Sequence, residues 1–230
     1  MRLTLGLVLG LAACAKSLAI VPVHRASGPI AIDGLLAEPA WDRATVVGPL
    51  VRSLDGKPAG VATTARLLWD DHFLYVAFQC EDTNVASQFT KDDEPLYTSN
   101  VVEIFLNPSG DLRNYAELEV APTNALFDAR FTGPRQGMDL GWSSGAEHAV
   151  HVDGTLNDGR DMDRGWTVEL AIPFATLPSA PKPKVGDRWR FNLYRLRQGP
   201  GQPGEGQALS PPLRPDFHAV DRFATLRFED

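Results

Sequence analysis

Short segments with a two-residue hydrophobic period recur along almost the whole chain, and turn residues separate them. In Phe73 to Glu81, Leu74, Val76, Phe78 and Cys80 share one side. Trp166, Val168, Leu170 and Ile172 alternate with Thr167, Glu169 and Ala171, and Trp189, Phe191 and Leu193 alternate with Arg190, Asn192 and Tyr194. A period of two places successive side chains on opposite faces of a strand. Asp33-Gly34, Asp70-Asp71-His72, Asn107-Pro108-Ser109-Gly110-Asp111 and Asn157-Asp158-Gly159 supply the breaks. About ten strands are expected at the spacing of an antiparallel two-sheet β-sandwich. They are Val21 to Ile32, Thr63 to Trp69, Phe73 to Glu81, Tyr97 to Leu106, Tyr115 to Val120, Leu126 to Phe131, Ala149 to Thr155, Gly165 to Ile172, Arg188 to Arg195 and Arg222 to Phe228. Helix is limited to short turns within Glu38 to Ala44 and Phe174 to Leu177. No long helix interrupts the strands, which excludes βαβ units. Gly199 to Pro215 is a Gly/Pro-rich loop long enough to suggest function.

The chain begins with an export signal over residues 1–19, and residues 20–230 then form a single domain. Arg2 precedes the apolar run Leu3 to Ala13, which is too short to span a bilayer. Leu11-Ala12-Ala13-Cys14 has the form of a bacterial lipobox, which would make Cys14 the first mature residue and its lipid anchor. Ser17-Leu18-Ala19 offers ordinary cleavage instead. Either reading exports the protein, to the periplasm, to the outer membrane as a lipoprotein, or out of the cell. The net charge is -7 and no Lys/Arg cluster stands out, which argues against nucleic acid as a partner. A monomer is expected, touching a membrane only through the lipid. Cys80 is the other of 2 cysteines, so no disulfide framework is expected, and its parity makes it a small core residue.

Tyr97 to Leu106 concentrates the chemistry. Val102, Ile104 and Leu106 share a core parity with Asn100, which leaves Glu103 mid-strand on the other face with Tyr97 at the entrance. A carboxylate is disfavoured in mid-strand unless it is needed. Glu117, Glu119 and Asn192 have the same non-core parity in their own strands, so they and Glu103 form either a polar ligand face or a solvated one. Trp41, Trp69, Trp166 and Trp189 are expected in the core, and Trp142 leans the same way. The chain carries 5 histidines, and they are scattered. His148 and His151 fall on opposite faces of a strand, which disfavours a shared metal. No Gly-x-Ser-x-Gly elbow or His-Glu-x-x-His helix occurs. The paired carboxylates are compatible with glycoside hydrolysis, but acidic β-sheets offer such pairs routinely, so no catalytic residue is assigned. Asp70-Asp71, Asp82 and Asp92-Asp93-Glu94 carry oxygen ligands suited to calcium, although such groups usually serve only as turns.

Several phrases, taken in order, resemble the family 9 carbohydrate-binding modules and their DOMON-related relatives. They are Ile32-Asp33-Gly34 with Trp41, Leu68-Trp69-Asp70-Asp71 before Leu74-Tyr75-Val76, Val102-Glu103-Ile104-Phe105, Gly165-Trp166 with Val168-Glu169, Phe191-Asn192, and Asp221 to Phe228. The resemblance covers roughly residues 28 to 228. It implies a jelly-roll-like sandwich that binds sugars, often at chain ends, with no required cofactor and with structural calcium in some members. Two aromatic rings hold the sugar in that family, and the corresponding positions here are Tyr97 and Phe217. The family's binding-face Glu corresponds to Glu103, and its Asn to Asn192. A basic sugar contact of the family falls at Glu119, where this chain is acidic. The sites expected to bind carbohydrate are therefore Tyr97, Glu103, Glu117, Glu119, Asn192 and Phe217. The expected function is non-catalytic carbohydrate binding in support of polysaccharide degradation. The alternatives are a haem-binding electron-transfer sandwich, which needs Met or His ligands on the sheet, and an envelope structural protein with a degenerate sugar face.

Overall fold

The structure is a computed structural model that describes residues 18–180, 182–199 and 204–230. Cys14 and Ser17, with the rest of the leader before Leu18, lie outside the described residues. Among the described residues thirteen strands succeed one another: β1 (Ile20–Arg25), β2 (Thr45–Val47), β3 (Val51–Arg52), β4 (Thr63–Trp69), β5 (Phe73–Glu81), β6 (Val101–Asn107), β7 (Tyr115–Val120), β8 (Leu126–Phe131), β9 (Glu147–Asp153), β10 (Gly165–Pro173), β11 (Arg188–Arg197), β12 (Glu205–Ala208) and β13 (Ala224–Phe228). Helix among the described residues is confined to 3-10 turns at Pro39–Arg43, Leu96–Thr98, Phe174–Thr176 and Val220–Arg222. None is long and apolar enough to cross a membrane.

The chain is all-β, as expected, but the strand count and the connectivity differ. One hydrogen-bonded path runs β8-β7-β6-β11-β13-β1-β4-β5-β10-β9. β1 joins its two arms and is parallel to both neighbours, β13 and β4, whereas the other pairings are antiparallel. The short strands extend both arms on their other side: β2 pairs with β4, while β3 pairs with β12, which pairs with β11, and β2 leads directly into β3 along the chain. The sheet is therefore nearly closed and barrel-like. β2, β3 and β12 are the strands that sequence periodicity missed, because at two to four residues they are too short to show a period. Tyr97 belongs to a 3-10 turn before β6, and the strand itself starts at Val101.

The inward parities meet in the main core. Val102, Ile104, Leu106, Phe191 and Leu193 from one arm pack with Leu67, Val76, Phe78, Val168 and Leu170 from the other. Trp69, Trp166, Trp189 and Cys80 belong to this cluster, and Trp142 packs against it. Burial pushes the Cys80 thiol up to about 11, which leaves it unreactive at neutral pH. Trp41 is buried, but in a separate cluster on the far face of β4, β5 and β10, with Leu68, Tyr75 and Ala77. Glu169 holds that cluster together. It accepts hydrogen bonds from the Asp33 and Gly34 amides at 3.0 and 2.7 Å and from Trp41 Nε1 at 2.8 Å. Three phrases distant in sequence, Ile32-Asp33-Gly34, Trp41 and Val168-Glu169, are thus one structural unit.

Gly165 opens β10 at φ 147°, and a side chain there would place Cβ 2.1 Å from the Cys80 carbonyl oxygen. Only glycine fits that approach.

Candidate functional site

The outer face of the β8-β7-β6-β11 arm is not solvated. Every residue of β6 and β7 is buried. Val101, Phe105, Tyr115, Phe127, Phe131 and Tyr194 form a second apolar cluster there, closed over by Ala208, Val220 and Phe223 from the chain's last segments. The alternative of a solvated outer face is therefore corrected, because the chain's last segments, with Ala208, Val220 and Phe223, fold back over these strands. Burial changes the status of the carboxylates on this face. Glu103, Glu117 and Glu119 are 2%, 5% and 0% exposed.

Pairing brings the three together. Glu103 lies directly opposite Glu119 across the β6–β7 ladder, and Glu117 is two residues from Glu119 on the same face. One carboxylate oxygen from each residue lies within 4.8 Å of the others. Like charges opposite one another destabilise a sheet, so this is a local conflict of the kind that functional sites carry. Burial, reinforced by the charge of Glu117, holds the Glu103 carboxyl well above the usual range. Burial pushes Glu117 up to about 7, restrained by Glu119 and Arg135. Burial, then the charges of Glu103 and Glu117, holds Glu119 well above the usual range. Neither Glu119 carboxylate oxygen makes a well-formed hydrogen bond.

A cleft of about 570 Å³ opens over Glu103 and Glu117. Tyr97 and Phe217, 120 positions apart in sequence, both line it, together with Phe127, Arg135, Met138 and His218. The Tyr97 ring is 51% exposed and meets Phe127 edge-on at a centroid distance of 5.8 Å. Phe217 stacks on Tyr194 at 4.2 Å and 6°, and Tyr194 Oη donates to the Phe217 carbonyl at 2.9 Å. Both rings are therefore fixed by packing beneath them. His218 Nδ1 lies 2.7 Å from Tyr115 Oη, and Nε2 lies 3.9 Å from Glu117. Burial and the nearby Arg135 charge pull His218 down to about 4, so it is neutral at pH 7.

Not all expected residues reach the cleft. Asn192 is fully buried, with Nδ2 donating to the Ser210 carbonyl and Oδ1 accepting from the Ser210 and Leu193 amides. Its amide is committed to clamping the returning chain, which replaces the expectation of a ligand contact. Glu119, opposite Glu103 on the neighbouring strand, is not among the residues that line the cleft. Arg135 had no signal in the sequence. It sits in the Gly133-to-Gly137 turn at φ 54°, and its guanidinium pairs with Asp216 at 2.9 Å. It supplies a cation at the cleft, on a loop, whereas the resemblance pointed to a strand position occupied here by Glu119. Met138 borders the cleft, whereas Met162 is 80% exposed elsewhere, and neither lies on a strand, where the haem alternative would need its ligands.

The Asp-rich turns are engaged within the protein. Asp70 accepts from the His72 and Phe73 amides and from Tyr75 Oη, and Asp82 receives Arg195, Arg197 and Asn100. Asp92 accepts from the Leu126 amide, and Glu94 from those of Thr90 and Lys91.

A family model described as "Carbohydrate family 9 binding domain-like" matches residues 32–196. The chain belongs to this family. As a family 9 binding-domain-like chain it has solved relatives in fold. A candidate carbohydrate-binding protein from Bacteroides uniformis superposes with a TM-score of 0.78 at 18% identity, over 93% of this chain and 100% of its own. A family 9 module from Caldicellulosiruptor kristjanssonii, solved with cellotriose, gives 0.62 at 18% identity over 91% and 93%. The same module with glucose gives 0.62 at 17% over 90% and 95%. No curated protein matches the sequence. Phe217 and His218 lie beyond the residues the family 9 model matches, so the cleft joins the matched core to a segment outside it.

Proposed function

We propose that this protein is a non-catalytic carbohydrate-binding protein whose ligand seats in the cleft between Tyr97 and Phe217. The observation that carries the reading is the convergence of two braced aromatic rings and a buried carboxylate on one cleft. Sugars present C–H faces to aromatic rings and hydroxyls to acceptors, and charged acceptors hold hydroxyls most tightly. Glu103 and Arg135 supply the polar contacts in this reading, and about 570 Å³ is room for a mono- or short oligosaccharide. Membership of the binding-domain-like family supports it. In this reading the protein works outside the cytoplasm, with Cys14 as its candidate lipid anchor.

Titration calorimetry with cello- and xylo-oligosaccharides tests the proposal. Tyr97→Ala weakens binding by about tenfold or more, which corresponds to the loss of one ring contact. Phe217→Ala does the same, with its thermal midpoint measured alongside because it also uncovers Tyr194. Absence of heat with every sugar, or unchanged affinity in the double variant, rejects the reading.

A further inference from the structure

We propose that Glu103, Glu117 and Glu119 bind one hard divalent cation of the calcium class at the floor of the cleft. Three carboxylates from two neighbouring strands each bring one oxygen within 4.8 Å of the others. Two oxygens on opposite sides of a calcium ion stand about 4.8 Å apart, given Ca–O distances of about 2.4 Å.

The second observation is independent of that clustering. Both Glu119 carboxylate oxygens are buried, in a residue that is 0% exposed, and neither makes a well-formed hydrogen bond; the polar groups nearest them are the Glu117 carboxyl and the Tyr97 amide. Buried polar atoms are almost always satisfied, and an orphaned carboxylate facing two more is the costliest exception. The protein offsets the triad's charge only in part. Arg135 is the cation nearest the triad in the cleft lining, and it is already paired with Asp216. His218 holds Tyr115 through Nδ1. A divalent cation satisfies the orphan oxygens and neutralises most of the triad's formal charge in one step.

The three acids supply fewer oxygens than the six to eight calcium takes. The cleft reaches Glu103 and Glu117, so the remaining positions face the space where a ligand would sit. Hydroxyls of a sugar are suitable oxygen donors, and this extension rests on the carbohydrate reading above.

The test uses the full chain stripped with a chelator and dialysed free of it. Calcium chloride alone is titrated by calorimetry, with magnesium chloride as the comparison, and thermal midpoints are recorded. One calcium per chain binds, magnesium binds more weakly, and the midpoint rises by about 5 °C or more at a hundredfold excess over Kd. Glu119→Gln keeps the side-chain size and removes one charged ligand. It weakens calcium binding by about tenfold or more, while its metal-free midpoint equals or exceeds the parent's. Sugar titrations with and without calcium separate the two readings. Calcium heat without sugar heat upholds the cation site and removes the carbohydrate reading. Sugar heat with no calcium heat overturns the cation site and leaves the carbohydrate reading standing. Calcium affinity unchanged in Glu119→Gln also overturns it.

Discussion

Asp82→Asn lowers stability by about 3–5 kcal/mol, the cost of breaking a buried ion pair from one side. Asp82 Oδ2 receives Arg195 Nη2 at 2.7 Å, and both side chains are 0% exposed. Arg197 reaches Asp82 Oδ1 at 3.2 Å with its side chain only 14% exposed. Arg195 also donates to Thr63 Oγ1 and to the Glu81 carbonyl, which ties β11 to the ends of β4 and β5. The near-isosteric amide removes the charge and leaves two guanidinium groups facing it in a dry interior. Against a typical total of about 5–15 kcal/mol, that is a large fraction. Urea denaturation of parent and variant measures it. A loss under about 1 kcal/mol would show the pair to be solvated, contrary to the burial described.

Stability of the metal-free protein falls as pH rises from 6.5 to 8. The carboxylates set the sign. Burial raises Glu117 to about 7 in the fold, and Glu103 and Glu119 lie well above the usual range, so the folded chain holds protons that the unfolded chain has already released. Where the native state binds more protons, stability declines with pH, by about 1.4 kcal/mol per pH unit for each proton held. The buried His218, pulled down to about 4, acts in the opposite direction, but only between about 4 and its unfolded value of 6.5. His148 is lowered as well and acts in the same direction below that value. The window above 6.5 therefore isolates the acids. Chemical denaturation at pH 6.5, 7.2 and 8.0 in chelator is expected to show a decline of about 1–3 kcal/mol per pH unit. Replacing Glu103, Glu117 and Glu119 together by glutamine flattens it. Stability that is level or rising over this range in the parent contradicts a buried, protonated triad.

The sequence was legible wherever an element leaves a periodic trace. Ten alternating segments each correspond to a strand, because each is long enough to repeat its pattern on two faces, although the first ends at Arg25 and not at Ile32. β2, β3 and β12 leave no such trace, and Glu205-Gly206-Gln207-Ala208 has no apolar alternation at all. The parallel joint at β1 was hidden because alternation reports which face a residue takes and nothing about its neighbour's direction. Parity also misled on the outer face. It placed Glu103, Glu117, Glu119 and Asn192 correctly away from the main core, but it carried no information about the returning segment that buries them. That segment brings Phe217 to Tyr97, uses up Asn192 through Ser210, and converts a row of polar residues into an unsatisfied cluster. Arg195 lies on the inward parity beside Leu193, yet its partner Asp82 is 113 residues away, beyond any local pattern. Arg135 is one residue of a short Gly-flanked turn, and only the folded cleft distinguishes it from other surface arginines.

The function proposed for this protein turns on whether the cleft over the acidic triad receives the carbohydrate. Amide chemical-shift mapping of the 25.1 kDa protein with cellotriose, with and without calcium, tests it most directly. Perturbations are expected to concentrate at Tyr97, Glu103, Arg135, Phe217 and His218. Shifts confined to the separate hollow of about 340 Å³ beside His151, Asp153, Arg164 and Trp166, or no shifts at saturating sugar, would contradict it.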